Sequence, residues 1–377
     1  MSPNSGLLRG RVWSILRGCL PAFVAFGQTA SQNAPRTAPV LPDSMELATG
    51  QIHSANTPAD REAALQLLGR ARSQFALRSN RQAYDLKVSF TVDSAGKTNY
   101  DGAWQMEDLF APKLGHRWTA TAASGYAVTG IARAGKIYGD GASGAVPLRL
   151  LEARGVLFDP LQSPAYADQG SIRTSTATFH GAAVTCLLLS RSRNTSYPAS
   201  GRDWEESEEC IDPQSGLLQM HSEVPGRYAV YDYSEAPQIA GHSLPRSVTI
   251  TEAGRAVSKV TVESLGELSA PDPALFVPSD EMKARGEAVA MTSATKVTRI
   301  HGQGPFTSAT TLRAVCVFGI VTPTGHLVEA HALQPSDPNS QAAVEDATKI
   351  DFSPQSPAGA PPRQHFAFVI EKFIAQQ

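Results

Sequence analysis

The side chains that most often carry chemistry occur in this sequence, but not in reactive combinations. His116, His180, His221, His242, His301, His326 and His365 are scattered. None forms the His-x-x-x-His or His-x-x-Glu-His pair that sets two metal ligands on one helix face. There is no Gly-x-Ser-x-Gly elbow to present a nucleophile and no glycine loop of the phosphate-binding kind. Gly139-Asp140-Gly141-Ala142-Ser143-Gly144 follows Ile137-Tyr138 and reads as a hairpin loop. Glu205-Glu206-Ser207-Glu208-Glu209 lacks the spacing of a calcium loop and reads as a solvated acidic turn. Asp101, Asp108 and Asp159 cannot be paired into a carboxylate dyad by spacing. The sequence therefore predicts no catalytic residue, no metal ligand and no cofactor, and points away from an enzyme.

The cysteines are the remaining reactive groups. Cys186 lies in the strand-like run at residues 183–189, and Cys210 opens a strand end, a turn and a new strand over 210–218. Two neighbouring antiparallel strands would bring Cys186 and Cys210 within bridging distance, which makes them the expected disulfide. Three unpaired buried thiols, Cys316 included, is the other reading. No His or further Cys stands near either residue at zinc-ligand spacing.

The compartment bears on that pairing. Arg9, Arg11 and Arg17 precede or flank a short apolar run, Leu20-Pro21-Ala22-Phe23-Val24-Ala25-Phe26, and Ala25 and Gly27 are small at the two positions a signal peptidase reads. Residues 1–27 are read as a cleaved signal peptide, with Gln28 the first residue of the exported chain. The run is well short of the roughly 20 residues needed to span a bilayer. Loss of the three arginines takes the formal net charge from −2 to −5, which offers nucleic acid no footprint. Export also permits disulfides.

At 377 residues the chain has room for two or three domains, and 30 Gly with 26 Pro suit many turns and short strands. Residues 28–56 are rich in Ser, Thr, Ala, Pro, Gln and Asn and read as a flexible linker. Thr57-Pro58-Ala59-Asp60 starts a helix, with Thr57 as cap and Pro58 in the first turn. Ala64, Leu68, Ala71 and Phe75 share one face of it, and its end is expected near residues 78–80. Strand patterns follow for nearly 200 residues, beginning with Tyr84, Leu86, Val88, Phe90 and Val92 in alternation. The helix 148–158 is the one interruption. The expected class is α+β: residues 57–278 form a large antiparallel curved sheet or half-barrel with an N-terminal helix.

Two local pieces of this region resemble the LolA-like lipoprotein-carrier half-barrel proteins. They are Ser243-Leu244-Pro245-Arg246-Ser247-Val248-Thr249-Ile250, like that family's strand after a Leu-Pro corner, and Pro271-Asp272-Pro273-Ala274-Leu275-Phe276-Val277-Pro278, like its closing segment. The resemblance implies a helix in the concave face and an apolar cavity for an acyl chain or lipoprotein.

A polar connector, 279–298, leads to a small β-β-α-β unit at 299–377. In its first strand Cys316, Phe318 and Ile320 face one way and Val315, Val317 and Val321 the other. Asn339 or Ser340 caps a small-residue helix, and Phe366, Phe368 and Ile370 alternate with Ala367, Val369 and Glu371 in the last strand. Gly319, Gly325, Ala342-Ala343, Phe352, Pro354, Gly359, Pro361 and Phe373 resemble the pattern of the TonB C-terminal domain family. Ile350 stands where that family commonly has tryptophan, and the chain lacks its proline-rich spacer. The resemblance implies a domain that takes up an extended envelope protein or peptide by β-strand addition. Phe366, Phe368 and Ile370 would then lie on the partner-binding edge strand, which would otherwise pair with a second copy. The combined expectation is a periplasmic or envelope protein linked to transport across the envelope. Its C-terminal domain would bind protein and its β-rich domain lipid or lipoprotein. The alternatives are a structural envelope adaptor or homodimer, and a periplasmic hydrolase.

Overall fold

Period-two alternation of apolar residues builds strands, and that pattern dominates the molecule. The computed structural model describes residues 47–48, 51–94, 100–141, 146–191, 201–286, 294–301, 312–352 and 364–374. The chain divides into two units, Met1–Ala34 and Pro35–Gln377, and every described residue lies in the second. The expected signal peptide, the linker through residue 46, the turn residues 95–97, residues 142–144 of the expected 139–144 loop, and Pro354, Gly359 and Pro361 lie outside the described residues; Gly139, Asp140 and Gly141 of that loop are strand instead, paired with Gly130, Thr129 and Val128.

In chain order the elements are β1 (His53–Ser54), α1 (Pro58–Gln74), β2 (Tyr84–Val92), β3 (Gly102–Ala111), β4 (Gly115–Ala122), β5 (Ala127–Arg133) and β6 (Lys136–Gly141). Then come α2 (Leu148–Phe158), α3 (Pro164–Ala167), β7 (Ser171–Phe179), β8 (Ala182–Ser190), β9 (Ser207–Ile211), β10 (Leu218–Val224) and β11 (Arg227–Asp232). A minor hairpin, β12 (Gln238–Ile239) and β13 (His242–Ser243), precedes β14 (Ser247–Glu252), β15 (Arg255–Glu267) and α4 (Asp280–Arg285). The C-terminal part holds β16 (Thr295–His301), β17 (Leu312–Val321), β18 (Leu327–Ala332), α5 (Ser340–Ala347) and β19 (His365–Ile374).

Thirteen strands form one antiparallel sheet in the order β1-β7-β8-β9-β10-β11-β14-β15-β2-β3-β4-β5-β6. Among the described residues its two end strands do not pair, so the sheet is open there. One face curves around α1 and α2. Side chains from β3 and β4 on one half and from β8 to β11 on the other share a single apolar cluster with these helices. The α1 cap forms as its sequence dictates: Thr57 Oγ1 accepts from the Asp60 N–H at 3.1 Å, and Pro58 occupies the first turn. The helix stops at Gln74, earlier than expected, and a separate 3-10 turn covers Leu77–Asn80.

Two boundaries are corrected. The flexible linker does not reach residue 56. His53 and Ser54 pair with Thr174 and Arg173 of β7, and Ile52 and Ala55 are buried, because the edge of β7 offers backbone partners to the segment. The polar connector ends sooner too, since Thr295 already belongs to β16.

The C-terminal sheet runs β16-β19-β17-β18, with β16 parallel to β19 and the other pairs antiparallel. This overturns the edge assignment of Phe366, Phe368 and Ile370. They lie on β19, which has a neighbour on each side, and all three are buried. Both faces of β19 are apolar because both are covered, the usual mark of a central strand. One face joins Cys316, Phe318 and Ile320 in a cluster with Leu148, Trp204 and Val224 of the large domain. The other joins Val315, Val317 and Val321 under α5. Glu371 is fully buried on β19, and β16 brings His301 (2.5 Å) and Arg299 (3.4 Å) to its carboxylate. That compensation explains why a mostly polar strand docks there. Gly319 lets β18 approach closely, since a Cβ would meet Leu327 Cδ1 at 2.8 Å.

Placing β19 centrally predicts that its amide protons exchange far more slowly than those of β16 and β18 in native-state hydrogen exchange. Phe368→Ala is expected to cost about 3–5 kcal/mol in denaturant unfolding. Fast exchange along β19 would restore the edge assignment.

Candidate functional site

The concave face is filled rather than hollow. α1 lays Ala64, Leu67, Leu68 and Ala71 on the sheet, and α2 adds Leu150, Ala153, Val156 and Leu157. The rim of α1 is held by Arg61 to Asp168 at 2.5 Å and Arg72 to Asp159 at 2.9 Å, with both carboxylates exposed. Such pairs contribute little, about 0–1 kcal/mol each, so apolar burial is what seats the helix. Beside α1 an open groove of about 400 Å³ runs past Pro58, Leu65 and the stems of Arg61, Glu62 and Gln66 to Asp168. Its surface is mostly apolar.

At one end the concave face turns polar. Asp108 on β3 accepts the Tyr84 hydroxyl at 2.9 Å, and His116 Nε2 lies 2.8 Å from both of its oxygens. Arg154 of α2 reaches it at 3.2 Å and stacks 4.3 Å over the Trp118 ring. Burial alone would push Asp108 up, but His116, Arg154 and Arg78 outweigh it and hold the carboxyl well below its ordinary range. No hydroxyl or thiol hydrogen-bonds to the His116 ring among the described residues. The cluster is thus a buried carboxylate with its counter-charges.

A second polar cluster joins the two sheets. Arg149 and Glu152 project from α2, Arg227 opens β11, and Glu252 closes β14 directly opposite it. Arg149 contacts Glu252 through Nη1 at 2.7 Å and Nη2 at 3.2 Å, and Glu152 at 3.1 Å. Arg227 contacts Glu252 at 3.0 Å and also bonds Glu152. All four are buried. The C-terminal sheet lies directly on them. Phe318 takes the Arg227 guanidinium at 4.9 Å and the Arg149 guanidinium at 5.1 Å, Phe366 packs against both, and His331 of β18 reaches Glu252 at 3.2 Å. Burial would push Glu252 up, but Arg149, His331 and Arg227 hold it well below the usual carboxylate range. Close by, Gln334 Nε2 donates to the Pro225 carbonyl at 3.1 Å. Gly226, with φ +91, has no room for a side chain against Leu333 and Gln334.

Cys186 and Cys210 face each other across β8 and β9 and form a disulfide. Phe366 and Phe368 serve the interface between sheets. The acidic run 205–209 is not a solvated turn: Glu206, just before β9, pairs with Arg173, and within β9 Glu208 pairs with Arg202 and Glu209 with His221. The Arg149, Glu152, Arg227 and Glu252 cluster was missed from sequence. Its signal was present, since Arg149 and Glu152 interrupt the apolar run Leu148-Arg149-Leu150-Leu151-Glu152 at helical spacing.

No protein-family model matches the chain, and no curated protein matches it. Among solved structures it is similar to an outer membrane lipoprotein-sorting protein domain from Vibrio parahaemolyticus, at 8% identity and TM-score 0.33, over 57% of this chain and 95% of that one. It is similar to a LolA superfamily protein from Nitrosomonas europaea at 12% identity and TM-score 0.33, over 56% and 96%. The MucA/MucB complex of Pseudomonas aeruginosa follows at 13% identity and TM-score 0.27, over 71% and 82%. Likeness at these scores carries no argument about role.

The charge cluster generates a pH dependence of known sign. A carboxylate held below its unfolded value adds stability that is complete above about pH 4.5, the ordinary value for Glu252, and is lost as pH falls through the folded-state value. Glu252→Gln is expected to cost about 3–5 kcal/mol at neutral pH by leaving buried guanidinium charge unpaired. It should also flatten part of the acid loss seen in wild-type unfolding. A variant with an unchanged acid limb would show that the cluster is not what titrates.

Proposed function

We propose that this chain is an exported, non-catalytic envelope protein that holds an acyl chain, free or borne by a lipoprotein, against the concave face of its open sheet. The observation that carries the reading is the way that face is closed. A second sheet would seal it permanently. Here a broad apolar surface is covered by two helices, and α1 rests on it through small and aliphatic side chains behind exposed ion pairs. An acyl chain entering from the groove beside α1 would offer the sheet the same kind of burial that α1 gives it.

The TonB-like reading of the C-terminal unit, and with it a link to transport across the envelope, is kept in a narrower form. Strand addition requires unpaired backbone, and β19 has none to spare. A docking role would fall to the outer strands β16 and β18, where Ile300 and Val328 are exposed.

Mass spectrometry of the protein isolated from a bacterial envelope is expected to show an acylated species bound near one per chain, on a mature chain beginning at Gln28. Folded protein recovered free of acyl species would sink the ligand reading. A photo-crosslinker at position 300 or 328, but not at 368, should capture an envelope protein. Self-crosslinks alone would make the sheet a dimer contact instead.

A further inference from the structure

The face of the large sheet turned away from α1 carries a second, smaller core around the disulfide. Val184, Cys186 and Leu188 of β8, Cys210 of β9, Met220 of β10 and Tyr228 of β11 form it, with Ala48 and Ile52 laid across them. A fully buried acid, Glu208, borders this core. Glu208 lies two residues before Cys210, so both project from the same face of β9, and Cys186 is directly opposite Cys210 on β8. A sulfur from each cysteine and a Glu208 oxygen lie within 4.8 Å of one another, and all three residues are buried. Two ligands at i and i+2 on one strand, with a third from its neighbour, is an arrangement that a sheet holds rigidly.

The geometry points to a redox-gated site for a thiophilic divalent cation such as Zn²⁺, made of Cys186, Cys210 and Glu208 once the disulfide is opened. The reductant is a dithiol. It passes two electrons and two protons to the protein sulfurs and closes to its own disulfide. The cation then binds the two sulfurs, and their two protons leave to solvent. Charge supports the step. Arg202, fully buried, lies 3.4 Å from Glu208 Oε2 and balances it before reduction. Exchange of two protons for one dication leaves the buried charge unchanged at zero, so the metal brings no unpaired charge into the core. Glu208 Oε1, 3.5 Å from Cys210 Sγ, also accepts the Ala48 N–H at 2.8 Å, which aims that oxygen at the sulfurs. Thiolate and carboxylate ligands suit zinc, and three protein ligands leave one position open. Cys316 is a poor competitor, since burial pushes its thiol up to about 12.

The test uses the full chain and cadmium as the probe, read by its thiolate charge-transfer band. Protein reduced with a dithiol, freed of it and kept without oxygen should bind a single equivalent of Cd²⁺, and oxidised protein none. Zn²⁺ should displace the cadmium. Glu208→Gln should weaken binding by more than roughly tenfold, the loss typical of even an outer-shell change. A reduced protein that keeps its far-ultraviolet signal but shows no band overturns the site, as does one that unfolds on reduction. A band that survives when Cys186 and Cys210 are both replaced by serine assigns the metal to another cysteine and overturns it too. Undiminished affinity in Glu208→Gln overturns the three-ligand set.

Discussion

Four buried charges under two phenylalanine rings determine how this molecule fits together. Arg149, Glu152, Arg227 and Glu252 are drawn from α2, β11 and β14, and Phe318 and Phe366 of the C-terminal sheet close over them. Such a cluster is weak evidence for extra stability, because desolvation offsets most of the attraction. What it supplies is a penalty for error. Any shift of α2 along the sheet, or of the C-terminal sheet across the large one, strands a charge in a dry interior. The apolar contacts around it, among Leu148, Trp204, Val224 and Phe368, would tolerate sliding far better.

The same constraint explains why the C-terminal unit, β-β-β-α-β rather than the expected β-β-α-β, is not a free module. Its sheet is covered on one side by α5 and on the other by the body of the protein. A unit exposed as a docking domain would need only one such face. Its strand that faces both ways, β19, takes the central place, and the polar strand β16 is recruited because Glu371 requires Arg299 and His301.

Sequence periodicity found most of this fold. The alternating strands, α1 with its Thr57 cap, α2 and the faces of β17 were all legible, because each depends on local pattern. What was not legible depends on partners distant in sequence. The acids at 205–209 look solvated until Arg173 and Arg202 arrive from other segments, and only then do they read as strand. Phe366 and Phe368 suggest an edge by resemblance, yet their own pattern, apolar on both faces, indicated a central strand. The disulfide was legible in part, since strand and turn spacing placed Cys186 and Cys210 on nearby strands without fixing the register. The charge cluster was legible only on α2, where Arg149 and Glu152 break the apolar run, since spacing cannot pair that helix with β11 and β14.

These energetics also give the acyl-chain reading a direction. α1 and α2 cover one concave face but are held by different means. Displacing α1 breaks exposed ion pairs and the part-buried bonds of Arg61 and Arg72 to the Gly170 and Leu161 carbonyls, and exchanges one apolar contact for another. Displacing α2 would strip Arg149 and Glu152 from Glu252 and Arg227, pull Arg154 from Asp108, and unseat Leu148 from the cluster it shares with Phe318 and Phe366. Uncompensated buried charge makes that the far costlier movement. On that proposal a ligand would enter the concave face on the α1 side, with α2 and the C-terminal sheet as its fixed back wall.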